Sequence, residues 1–512
     1  MNSTLNQIES VVELSKISGH PWISDQGDGT YKNPVLCADY SDPDVIRFGE
    51  DFYLTASSFT CTPGLPILHS KDLVNWTLVN HALKNLPDAR YDKFQSGEGV
   101  WAPALRFHAG KFWIFFATPD EGIYVITAGH PTGEWSEPHL VQAGRGLIDP
   151  CPLWDDDGQA YLVHAYAGSR AGIKHRLRVC PMASDGSRLL GEGQIVFHEP
   201  EKHPTIEGPK FLKRDGWYYL LAPAGGVATG WQLALRSKNI YGPYEVKAVL
   251  AQGSTDINGP HQGALVDTAG GEWWFVHFQD AGVYGRVTHL QPVHWENGWP
   301  LMGANGEPVS RHAKPLVATP QIICAPATSD EFDSATAGRQ WQWLANHRVN
   351  WSSLSARPGR LRLFSQPATQ PLNELPHLLL QKFPARSFTA ETRLELSARQ
   401  PGEQAGIIVT GRTFAALTLR RGKDGNEIVF HRDDQSFVLN KTVRNEVCFR
   451  VEVADGGLCR FEFSLDDTGW RAAPELFQAQ PGVWIGAKLG IFSTAPSDGP
   501  AGHADFDYFR FT

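Results

Sequence analysis

FLKRDGWYYLLAPA, residues 211–224, reads as a hairpin. An apolar start runs into Asp215-Gly216, and an aromatic-rich stretch follows. Asp-Gly between two such runs marks a tight turn, because glycine accepts the positive φ that the turn demands. The pattern occurs four more times, as VIRFGEDFYLTAS from Val45, LRFHAGKFWIFFAT from Leu105, LWDDDGQAYLVHAY from Leu153 and LVDTAGGEWWFVHF from Leu265. An aromatic stands three residues after the turn glycine (Trp113, Tyr161, Tyr219, Trp274), as Phe52, followed by Tyr53, does after Gly49 in the first copy. The turn glycines lie roughly 48 to 61 residues apart, near the ~40–50 of a propeller blade. Downstream, HSKDLVNWTLV, TAGHPTGEWSEPHLV and RSKNIYGPYEV supply outer strands around Trp76, Trp135 and Tyr244. Five repeats of about four strands predict an all-β, five-bladed β-propeller over residues 33–310. An ordinary β-sandwich with coincidental hairpins is the competing fold.

Residues 311–328, RHAKPLVATPQIICAPAT, carry three prolines and no periodicity, and read as a linker lying on the propeller. Residues 329–512 alternate as short strands, among them RLRLFS, ETRLELSA, AGIIVTG, VCFRVEVA and ADFDYFRFT, which predicts a two-sheet jelly-roll (concanavalin-like) β-sandwich. Its opening SDEFD and closing ADFDYFRF are expected to pair. Residues 1–32 form an N-terminal arm, whose first twenty residues suit a short helix or flexible segment better than a signal peptide, since Glu9 and Glu13 interrupt the apolar stretch.

Composition agrees. The 512 residues are 42 % hydrophobic, and 17 Trp, 13 Tyr and 27 Phe call for a packed core, which excludes disorder. No apolar run approaches the ~20 residues of a membrane-spanning helix. A net charge of −9 with dispersed Lys and Arg argues against nucleic acid as a partner. Seven cysteines without a CxxC pair form neither a disulfide framework nor a zinc pattern. The expected location is the cytoplasm.

A propeller brings equivalent positions of its blades to one axial channel. The residues opening each inner strand read Ser-Asp42-Pro, Trp-Ala102-Pro, Ile-Asp149-Pro, Glu207-Gly-Pro and Gly-Pro260-His261. One Asp before Pro is commonly a turn former. Three acids converging on one channel cost repulsion, so their recurrence points to chemistry. A calcium cage would want more oxygen ligands than three separate blades supply. Glycoside hydrolysis needs one ionised carboxylate to activate water and one protonated carboxyl for the leaving oxygen. A third carboxylate beside the acid raises its pKa. Asp44 is the rival of Asp42, two residues on.

These residues carry a resemblance. NPVLCADYSDPDVIRFGEDFYLTASSF, GVWAPALRF, GLIDPCPLW and IEGPKFLKRDGWYYLLAPAGG, in this order, resemble glycoside hydrolase family 43, in its β-xylosidase and α-L-arabinofuranosidase members with a C-terminal β-sandwich. The resemblance implies an inverting exo-glycosidase acting on hemicellulose oligosaccharides, with Asp42 as general base, Glu207 as general acid and Asp149 as pKa modulator. The family's usual His-Pro-Asp-Pro-Ser run is here Tyr40-Ser41-Asp42-Pro43-Asp44, which changes the contacts beside the base. Phe59 resembles the aromatic wall beside the terminal sugar, and Arg286 the arginine that binds sugar hydroxyls. Trp101 reads as a stacking platform or a core side chain. A histidine placed like His261 contacts a calcium ion or a water chain in relatives. Glu331 and Asp507 are expected either to share a structural calcium ion, as in lectin-like folds, or to form ion pairs. The chemistry requires no cofactor. The sandwich commonly lends a loop that closes the site. Homo-oligomerisation stays open, as do two other readings, a non-catalytic carbohydrate-binding propeller and an endo-arabinanase.

Overall fold

The computed structural model describes residues 19–466, 469–496, 499 and 501–512. The N-terminal stretch read as a helix or arm lies outside them up to residue 18. All five sequence repeats form the first two strands of a blade, and each blade is a four-stranded antiparallel sheet built from consecutive strands. Blade I spans Asp44 to Leu83, blade II Trp101 to Ala143, blade III Leu147 to Phe197, blade IV Lys210 to Ala251 and blade V His261 to Met302. The recurring aromatics Phe52, Trp113, Tyr161, Tyr219 and Trp274 are all buried. Phe52, Trp113, Tyr161 and Trp274 belong to apolar layers between blades, and Tyr219 meets Trp295 of blade V edge-on; each layer removes from water a face that a single blade would leave exposed.

Ring closure uses the segment ahead of blade I. Leu36 exchanges backbone hydrogen bonds with Thr288 of blade V, while the Asn33 side chain donates to the carbonyls of Leu290 and Val309. Thr30–Lys32 pairs with Arg311–Ala313, so the arm and the linker meet as a two-stranded sheet. The linker lies on blade I through Lys314, whose ammonium bridges Asp25 and Asp72.

The C-terminal region is a sandwich of two eight-stranded sheets around a core rich in Phe, Leu and Ile. Asp330 bridges Phe509, so the first and last segments pair as expected. The sandwich docks on the propeller through backbone as well as side chains. Thr62 and Trp343 exchange two N–H···O bonds, and Tyr284 and Val287 of blade V enter the sandwich core.

Of the two readings of Glu331 and Asp507, the structure shows the ion pairs. Glu331 makes a two-pronged pair with Arg510 at 2.7 Å, and Asp507 faces Arg360 at 3.7 Å. Each carboxylate is neutralised by its own arginine. Among the described residues no three His, Cys, Asp or Glu side chains gather as a metal shell.

Candidate active site

One residue at the head of each blade's inner strand is held at positive φ: Asp42 (53°), Ala102 (32°), Asp149 (57°), Gly208 (57°) and Gln262 (35°). Such backbone is costly outside glycine, with Asp and Asn the best tolerated, and it clusters where function over-determines the chain. In blades II, III and V the ladder register also slips here, between Trp101 and Ala104, Ile148 and Cys151, and His261 and Gly263. A bulge turns side chains out of the ladder, in this case toward the pocket.

This backbone ring refines the sequence alignment. Gly208 and Gln262, not Glu207 and Pro260, stand level with Asp42, Ala102 and Asp149. Proline follows the ring residue in four blades, but Gly263 replaces it in the fifth, which hid the register. Glu207 and His261 are therefore equivalents on neighbouring blades, one step before the ring. They touch, with Nε2 of His261 3.0 Å from Oε1 of Glu207.

Asp42, Asp149 and Glu207 line one pocket with Phe59, Trp101 and Arg286, and its water-accessible volume is ≈ 210 Å³. Asp42 is 4 % exposed and surrounded by donors. Its Oδ2 accepts from the hydroxyls of Ser41 (2.7 Å) and Ser57 (2.6 Å), and its Oδ1 from the Arg286 guanidinium at 3.0 Å. Ser57 is itself fixed, because its Oγ accepts from the Ala102 N–H at 2.8 Å. Asp149 accepts from the Gly208 N–H at 2.8 Å. Burial, then the nearby Glu207 carboxylate, push Asp149 up to about 7, against the Gly208 bond and the Lys210 charge. Asp149 therefore changes charge near neutrality, beside the Glu207 carboxyl. The Gly208 N–H opposes that rise, because it bonds the ionised form of Asp149 better.

Asp44 takes no part in the pocket. It is fully buried and accepts from the Leu105 N–H and from Arg106, with Lys210 at 3.9 Å, so it ties the inner strands together. Phe59 exchanges backbone hydrogen bonds with Val100, which fixes its ring at the pocket wall. The Arg286 guanidinium lies 4.6 Å from the Phe278 ring centroid, a cation–π contact that adds to its hold. His261 is fully buried, and its Nδ1 has no protein partner. Its Nε2 meets Glu207, so the calcium ion or water chain expected beside His261 would have to use Nδ1.

The remaining wall comes from the sandwich. Trp484, in Gly482-Val483-Trp484-Ile485-Gly486, lines the pocket, 6.4 Å from Trp101 in an edge-on contact and 5.6 Å from the Arg286 guanidinium.

The comparisons match this arrangement along the chain. The family model "Glycosyl hydrolases family 43" matches residues 31–300, and "Beta xylosidase C-terminal Concanavalin A-like domain" matches residues 329–512. The chain belongs to glycosyl hydrolase family 43. A putative beta-xylosidase of Xylanibacter ruminicola is 40 % identical over 480 residues, 92 % of this chain and 87 % of that protein. A beta-xylosidase of Formosa agariphila is 32 % identical, covering 98 % of this chain and 93 % of its own. The crystal structure of the GH43 protein BlXynB from Bacillus licheniformis superposes with a TM-score of 0.84 at 27 % identity, over 94 % of this chain and 99 % of that one.

In this family 43 chain, sequence reasoning missed Ser41, Ser57, Gln262 and Trp484. Ser41 stands beside Asp42 and could have been named from its neighbour. Ser57 and Trp484 reach the pocket only through folding. The one available signal for Trp484 is a tryptophan between two glycines where the strand pattern breaks off.

Proposed function

We propose that this family 43 enzyme is an inverting, exo-acting glycosidase that removes terminal β-D-xylosyl or α-L-arabinofuranosyl units from hemicellulose oligosaccharides, such as fragments of xylan, arabinoxylan or xyloglucan. One observation carries the proposal: three carboxyls converge in a pocket that Trp484 of the sandwich helps to wall. Such a pocket receives a chain end, whereas an endo-arabinanase needs a cleft open at both ends. The two sugars present similar hydroxyl arrangements, so one pocket can serve both.

The chemistry follows from the contacts. Asp42, held by Ser41, Ser57 and Arg286, takes a proton from water as that water attacks the anomeric carbon. Glu207 gives its proton to the departing glycosidic oxygen. Asp149 keeps that proton on Glu207 by charge repulsion, and His261 holds the Glu207 carboxyl in place. Phe59 and Trp101 present apolar faces to the sugar, and Arg286 and Gln262 supply polar contacts at its edge.

Release of nitrophenol from nitrophenyl β-D-xyloside and nitrophenyl α-L-arabinofuranoside tests the sugar choice. Release from neither leaves the carbohydrate-binding reading standing. Proton NMR of xyloside hydrolysis should show α-xylose first, and β-xylose first would mean retention and overturn the roles given to Asp42 and Glu207. Linear xylan and arabinan fragments should yield monosaccharide alone at early times.

A further inference from the structure

Three residues before Asp42, on the same loop, Asp39 is 5 % exposed and makes contacts that the chemistry above does not use. Its Oδ1 accepts from the Arg286 N–H of blade V at 2.9 Å, and its Oδ2 from the Gly486 N–H of the sandwich at 3.0 Å. A carboxylate suits the place because it is acceptor-only and has two oxygens for two donors. The approach is close on both sides. A Cβ on Gly285 would stand 2.5 Å from the Asp39 Cγ, and one on Gly486 would stand 2.6 Å from the Gly285 nitrogen. Either side chain would force the two domains apart at this point. The Ala487 N–H donates to Val283 O at 2.8 Å, which extends the seam by one more bond.

What hangs from the two N–H groups is the pocket itself. Arg286 carries the guanidinium that grips Asp42 and Ser41. Gly486 ends the loop that presents Trp484, which is held at φ 65° and is 47 % exposed. We propose that Asp39 is a positioning residue that joins the sandwich to the catalytic pocket, fixing the Trp484 wall and the Arg286 grip on Asp42 from a single carboxylate. This rests on the glycosidase reading of the pocket, and it adds that the sandwich loop is registered against the base rather than merely docked nearby.

The test is a double-mutant cycle on nitrophenyl β-D-xyloside, or on whichever glycoside the wild-type protein cleaves, with Asp39→Asn, Asp39→Ala, Trp484→Ala and the pairs. Asp39→Asn keeps the shape but turns one acceptor into a donor facing an N–H. A buried amide left unpaired in this way is expected to raise KM about tenfold, with a smaller fall in kcat. In the Trp484→Ala background the KM effect of either Asp39 change should largely vanish, because the wall it registers is gone, while the kcat effect through Arg286 persists. Additive KM effects, or an Asp39→Asn protein with wild-type KM and kcat, overturn the proposal. If Asp39→Ala fails to fold, the Asn variant alone decides. Should the wild type cleave no glycoside, the glycosidase reading fails first, and the clamp is then read from Trp484 and its loop. Tryptophan fluorescence quenching by acrylamide and proteolytic cutting within residues 482–486 should both rise in Asp39→Asn, and no change in either overturns it.

Discussion

At the scale of single residues, the site is a problem of placing one proton. Burial and the neighbouring Glu207 carboxylate push Asp149 up to about 7, so its charge changes near neutrality. With Asp149 set beside the proposed acid, kcat/KM should change as pH passes through about 7. Asp149→Asn removes the repelling charge. The variant should lose the pH dependence near 7, with activity at pH 7 reduced by about 10² or more, as a pH–rate profile will show. The same carboxyl affects stability. Because it is raised in the folded state, the folded protein binds more protons than the unfolded chain between the usual carboxylate pKa and about 7, and stability declines as pH rises through that window. Asp149→Asn should therefore melt higher than wild type at pH 8, with no such gain near pH 3, where the wild-type carboxyl is protonated in both states. Glu207→Gln removes the donor itself. It should slow hydrolysis of xylobiose by about 10³–10⁴, and of an activated nitrophenyl glycoside far less, as their kcat ratio will show.

At the scale of elements, the repeat was legible and its fine register was not. Five glycine turns with a buried aromatic three residues on announce five hairpins, since a tight turn and a core-facing ring are local needs that the chain states locally. The strands RLRLFS, ETRLELSA, AGIIVTG, VCFRVEVA and ADFDYFRFT also fell where alternation placed them. Leu379–Lys382 escaped because it is an apolar run with little alternation, and Gln435–Thr442 because it is an exposed edge strand with a polar face. The one-step offset of Glu207 against Asp42 is a property of the bulged strand heads, where Gly208 holds the ring position. Gly208→Ala tests that geometry. Its Cβ would stand 2.7 Å from Cδ of Gln262, at φ 57°. Backbone strain alone should cost roughly 1–2 kcal/mol of stability, and displacement of the N–H from Asp149 should lower kcat, both readable from melting and steady-state rates.

At the scale of the whole molecule, the sandwich is part of the enzyme rather than an appendage. Asn346 exchanges hydrogen bonds with the backbone of Leu86, Thr60 and Thr62 donate to sandwich carbonyls, and Tyr284 is buried against the sandwich core. Two domains sharing backbone bonds and a buried aromatic should unfold together, so calorimetry should record a single transition. Two separated transitions would mean that the seam contributes little to either half.

The sequence by itself determined the propeller and the sandwich, and it singled out the three acids that the pocket brings together. Turn chemistry, strand alternation and repeat-equivalent positions are local signals that survive without coordinates. Only the tertiary structure decided which side chains hold those acids and what closes the pocket. Ser57 meets Asp42 across fifteen residues, Arg286 across some two hundred and forty, and Trp484 arrives from another domain. No periodicity records such meetings, because they depend on how finished layers stack rather than on what any one strand needs.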